Sequence, residues 1–118
     1  MPYNRGDVVL VLLPDSNLVT AKRRPALIIQ ADKLSTGLAQ TIVAMITSNL
    51  SRSGHPSRVT VLNSSSEASQ MGLLSDSVVM TDNLATILDS EIDRAIGRCD
   101  DLRAINTALR HTLGLHNA

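Results

Sequence analysis

The sequence predicts a mainly β (α+β) fold, a small and strongly bent sheet or barrel closed by one C-terminal α-helix. Three observations carry that expectation. Short apolar runs follow one another at gaps of roughly ten residues, the spacing of a compact sandwich or small barrel and not of strand–helix alternation. Several runs are continuous instead of alternating, which suits strands buried on both faces. The final segment changes rhythm: Leu102, Ile105, Leu109 and Leu113 follow an i, i+3, i+7, i+11 spacing, one stripe of a helix.

In chain order, the candidate strands are Val8–Leu13, Ala26–Gln30, Thr41–Ile46, Arg58–Leu62 and Ser77–Thr81, with a weaker one near Ala85–Leu88. The stretch "NSSSEAS" (Asn63–Ser69) is the most loop-like, and it can also open a short helix with Ser65 as N-cap and Glu67 in the first turn. Asp100 or Asp101 can cap the last helix and Gly114 can stop it.

The 118 residues read as a single domain, 1–118, large enough to bury a core without disulfide or metal. One cysteine, Cys99, excludes an internal disulfide and fits a reducing compartment. His55, His111 and His116 lack ligand spacing, so no metal and no other cofactor is expected. The aliphatic run Val8–Leu13 is too short to span a bilayer, and Asp7 and Pro14 bracket it, so neither a signal peptide nor a membrane partner is expected. These features predict a soluble, cytoplasmic protein. Net charge is zero but unevenly spread: residues 1–60 carry seven cations against three acids, a net of +4, and residues 61–118 a net of −4. Such a distribution fits a basic face turned towards an anion.

The stretch "KRRPALIIQ" places Lys22, Arg23 and Arg24 directly before a buried run, with Pro25 at the join. Proline pushes the preceding residue towards extended geometry, which sets Arg24 at the threshold of a strand with its guanidinium at the rim. The third run ends as "AMITSN", leaving Thr47, Ser48 and Asn49 where the apolar residues stop. An arginine at one strand start and hydroxyls at another strand's end can meet on one rim and form an oxyanion site.

The succession "RGDVVLV", "RRPALIIQ", "IVAMITSN", "SDSVVMTDNLATI" and "DDLRAINTALRHTLGL" resembles the MazF/PemK family of toxin–antitoxin ribonucleases over nearly the whole chain. The resemblance implies an SH3-like β-barrel with a helix, a homodimer, a cognate antitoxin, and metal-independent cleavage of single-stranded RNA. Its catalytic pair, the arginine before the proline and the threonine leaving the third strand, matches Arg24 and Thr47. In one branch an aspartate after the fifth strand also lines the site, and Asp82 matches it. Lys22, Arg23, Ser48, Asn49 and His55 join Asp82 as candidate RNA contacts, His55 because "RSGHPSR" sets it beside two arginines.

The residue types suit the implied chemistry. When a ribose 2′-OH attacks the adjacent phosphorus, negative charge gathers on the phosphoryl oxygens. A guanidinium offers those oxygens a planar fork of donors, and a threonine hydroxyl adds another. Arginine stays protonated and is a poor base, so its expected role is electrostatic, and the general base is left unassigned.

Three departures from the family pattern stand out. The first loop, "PDSNLVTAKRRP", lacks the usual glycines and glutamate. Met80 stands where the branch with the aspartate has an arginine. Aromatic residues that stack on unpaired bases are reduced to one tyrosine. A degenerate member that binds antitoxin or RNA without cleavage is one alternative. A CcdB-like gyrase poison is another, although its Trp-Gly-Ile end has no counterpart in "LGLHNA".

Overall fold

A computed structural model describes residues 3–14 and 21–115. Most of the first loop and His116 lie outside the described residues. In order, the elements are β1 (Asp7–Pro14), β2 (Ala21–Ile28), β3 (Gln40–Thr47), a 3-10 turn (Leu50–Arg52), β4 (Arg58–Val61), α1 (Ser66–Met71), β5 (Ser77–Leu88), a second 3-10 turn (Asp89–Glu91), β6 (Ile92–Arg98) and α2 (Arg103–Leu113).

The strands form one antiparallel sheet in the order β4-β5-β3-β2-β1-β6. Three strands separate β5 from β6, yet only Asp89–Glu91 connects them. In a flat sheet the two would lie about 19 Å apart, whereas the four steps from Leu88 to Ile92 reach about 14 Å at full stretch. The sheet therefore has to curl. Its concave face buries Val9, Val11, Ala26, Ile28, Val43 and Met45, and Ile87 and Ile92 close over them from the two sides. The opposite face buries Val8, Leu27, Ala44, Ile46 and Val79 beneath Ala68 and Met71 of α1 and Ile105 and Leu109 of α2. Apolar burial on both faces explains the continuous aliphatic runs in the sequence. Curled as it is, the sheet does not close: β4 and β6 remain its edges, and the helices occupy the second layer against them.

Local chemistry sets the helix ends. Ser65 Oγ accepts from the Ala68 N–H at 3.2 Å, and Gly72 ends α1 at φ 72°. Leu102 is the N-cap position of α2, and Asp101, one residue earlier, accepts from the Arg103 N–H at 3.1 Å. Gly114 ends α2 in the left-handed conformation. Within the expected stripe, Ile105 and Leu109 are buried and Leu113 is exposed.

Candidate active site

The β2–β3 ladder is short. It holds only Ala26↔Met45, Leu27↔Ala44 and Ile28↔Val43. Its next residue in β2 is Pro25, which has no N–H to give, and there the strands part, β2 staying with β1 and β3 with β5. Continuing the register by two residues sets Arg24 opposite Thr47, across the mouth of this fork. Both line one cleft of about 310 Å³, with Ser48 beside them and Leu73–Ser75, the segment after α1, also on its lining. Arg24 lies inside β2, paired with Val11, and not at the strand's threshold, because β1 carries β2 back to Ala21.

Strand alternation separates the three adjacent cations. Arg24 and Lys22 share the face of Ala26 and Ile28; Arg23 falls on the other, yet it lines the fork cleft together with Arg24. Arg23 Nε donates to Asp93 Oδ2 at 3.0 Å, so its charge is met by β6. Arg24 is exposed and makes no hydrogen bond to a described residue. Thr47 is half-buried, and its Oγ1 accepts from the Asn49 N–H at 3.1 Å, which orients the hydroxyl and leaves its proton free for an incoming acceptor.

A second cleft, about 420 Å³, adjoins the first and shares Thr47 with it. It exists because β5 bulges. Ala44 pairs with Leu84 and the next residue, Met45, pairs with Met80, so Thr81, Asp82 and Asn83 have no partner on β3. Bulges of this kind re-aim side chains, and Asp82 and Asn83 line the cleft. Arg58, the cross-strand partner of Met80, reaches Asp82 with Nε at 3.3 Å and a terminal nitrogen at 2.7 Å. Its other terminal nitrogen donates to the Arg52 carbonyl at 3.2 Å. The Arg58 guanidinium holds the Asp82 carboxyl below its ordinary range. With Met80 two residues before Asp82 on β5, it is β4 that supplies the cation to this carboxylate.

The remaining candidates divide. Asn49 lines the second cleft and caps the 3-10 turn, accepting from Ser51 N–H at 3.1 Å. His55 lies outside the linings of both clefts; its Nδ1 accepts from Ser57 N–H at 3.1 Å, and its ring meets that of His111 edge-on at 5.9 Å. Cys99 is buried, and burial pushes its thiol pKa up, so it is a poor nucleophile. Among the described residues no three His, Cys, Asp or Glu side chains gather as a metal cage, and no helix is long and apolar enough to cross a membrane. Sequence reasoning missed Arg52 and Arg58 as cleft residues. Their only signal was flanking His55, and the pairing of Arg58 with Asp82 depends on a strand register that the sequence does not print.

Comparison with known proteins agrees with the fold. The family model described as a PemK-like, MazF-like toxin of type II toxin–antitoxin systems matches residues 4–113. The Mycobacterium tuberculosis toxin MazF-mt6 superposes with a TM-score of 0.69 at 25% identity, covering 92% of this chain and 99% of that one. An endoribonuclease solved with its cognate antitoxin from a mycobacterial species gives 0.74 at 23% identity, covering 98% and 99%. A MazE–MazF structure from Deinococcus radiodurans gives 0.74 at 19% identity, covering 98% and 100%.

Proposed function

This chain belongs to the PemK-like, MazF-like toxin family of type II toxin–antitoxin systems, and we propose that it is a metal-independent, sequence-selective endoribonuclease acting on single-stranded RNA. The observation that carries the reading is the fork, where Arg24 and Thr47 stand opposite each other at one opening. A phosphodiester seated there receives the guanidinium fork of Arg24 on two oxygens and the free proton of Thr47 on one. The ribose 2′-OH gives up its proton as it attacks phosphorus, the P–O5′ bond breaks, O5′ takes up a proton, and the products carry a 2′,3′-cyclic phosphate and a 5′-OH. The nucleophile belongs to the substrate, so no metal-bound water is needed and DNA is not cleaved. Preplaced donors of this kind are worth about 10²–10³ in rate each.

The chain acts as a homodimer, in the cytoplasm, where a cognate antitoxin restrains it. The complexes among its structural neighbours support an antitoxin partner. The exposed Arg24 and Lys22 would attract an acidic antitoxin segment as well as phosphate, so inhibitor and RNA should compete. Incubation of the pure protein with a long RNA in EDTA tests the reading. Discrete fragments with cyclic-phosphate and 5′-OH ends are expected. Intact RNA, or cleavage only when magnesium is added, would refute it.

A further inference from the structure

The second cleft begins where the fork ends, at Thr47. For a strand with a phosphate between Arg24 and Thr47, the cleft of Met80 and Asp82 is directly beside Thr47, open to one neighbouring nucleotide. We propose that this second cleft reads one base of a bound single-stranded RNA, with Met80 as the platform under the ring and Asp82, fixed by Arg58, as the acceptor for an amino group on the base edge. The proposal rests on the ribonuclease reading of the fork.

Register and alternation put the participants on one face. Thr47 pairs with Val78, Met80 and Asp82 follow at two-residue steps along β5, and Arg58 pairs with Met80. The cleft's volume of about 420 Å³ suits one nucleotide rather than a length of strand. The chain has no Phe or Trp and a single Tyr, so a base entering here finds a polarisable thioether instead of an aromatic ring. Arg58 occupies one lone pair on each Asp82 oxygen and is itself tied to the Arg52 carbonyl. The carboxylate is thereby held in one orientation, with lone pairs left for an incoming donor. An ionised carboxylate only accepts hydrogen bonds. Cytosine, adenine and guanine each present an exocyclic amino group; uracil presents carbonyls on both sides of its N–H, and these repel the carboxylate. The cleft should therefore reject uracil.

Cytosine and uracil isolate the edge chemistry because their rings are alike in size. The probes are non-cleavable 2′-O-methyl heptamers of cytidine and of uridine, with affinity read by fluorescence anisotropy. The wild-type chain should bind oligocytidine at least about tenfold tighter. Asp82→Asn should bring the two within about twofold, since an amide both donates and accepts. Arg58→Met should shrink the ratio by freeing the carboxylate, and Met80→Ala should weaken both probes alike. A ratio unchanged in Asp82→Asn overturns the proposal, as does equal or absent binding by the wild type. Cleavage of a mixed RNA is measured in parallel. Cleavage with a ratio insensitive to Asp82 refutes the base reading alone; the expected ratio without cleavage refutes the ribonuclease reading alone.

Discussion

Gly72→Ala offers a quantitative test of how α1, and with it the segment that lines the fork, is held against β6. Gly72 ends α1 at φ +72°, and α1 and β6 approach backbone to backbone at this point. A Cβ on Gly72 would fall 2.1 Å from the Ile96 carbonyl oxygen, and one on Gly97 would fall 2.3 Å from the Met71 carbonyl carbon. Neither obstacle is the end of a flexible side chain. The left-handed conformation costs an L-residue about 1–2 kcal/mol, and forcing the backbones apart adds about 1–3 kcal/mol. At about 4 °C per kcal/mol for a chain of this size, Gly72→Ala should lower Tm by about 8–20 °C. Gly114 ends α2 at φ +68° with nothing within 4 Å of its Cβ position, so Gly114→Ala carries only the conformational cost, about 4–8 °C. Thermal melting followed by circular dichroism compares them. Equal shifts would show that α1 does not rest on β6 in this way, and with it the placement of Leu73–Ser75 along the cleft would fail.

Three further outcomes are expected. The Arg103 guanidinium holds the Asp101 carboxyl at about 2, down from 3.8; an acid so depressed adds stability above its ordinary pKa, and loses it as pH falls through the folded value. Carboxyl-carbon NMR should find that low midpoint in the wild type and a higher one in Arg103→Ala, still below the ordinary value because the backbone N–H of residue 103 continues to donate to Asp101. Arg23→Ala should slow RNA cleavage far less than Arg24→Ala, because Arg23 lines the same cleft with its guanidinium already paired to Asp93; comparable losses would contradict the idea that this ion pair withholds Arg23 from the phosphate. Light scattering at micromolar concentration should report twice the chain mass, and a monomer would remove the dimer from the proposal.

Much of the fold was legible. β1, β3 and α2 declare themselves through unbroken aliphatic runs and a clean helical stripe, since burial alone decides them. β2 starts five residues earlier than its apolar run, because only the β3 side of a strand is closed to Pro25 and β1 accepts the polar residues before it. The two runs in β5 are one strand, interrupted in sequence by the polar bulge that builds the second cleft. β6, "IDRAIGR", had no apolar signature: it is an edge strand whose Asp93, Arg94 and Arg98 face water, Asp93 pairing with Arg94 and Arg98 with Asp7 and Asp100. Arg24 and Thr47 stood out in the sequence because each marks the end of an apolar run. That the two could meet on one rim was an expectation of the sequence; the register that sets them across a fork, and the grip of Arg58 on Asp82, were not readable beforehand.

The claim that Arg24 and Thr47 act together on one phosphate is tested most directly by a double-mutant cycle in single-turnover RNA cleavage, with Arg24→Ala, Thr47→Val and the double variant. Each single change should slow cleavage by about 10²-fold or more, and Arg24→Lys should restore little because an ammonium lacks the fork. The double variant should lose much less than the product of the two, since groups acting as a unit are non-additive. Either single variant cleaving within a few-fold of wild type, or a double loss equal to the product, would contradict a shared phosphate at the fork.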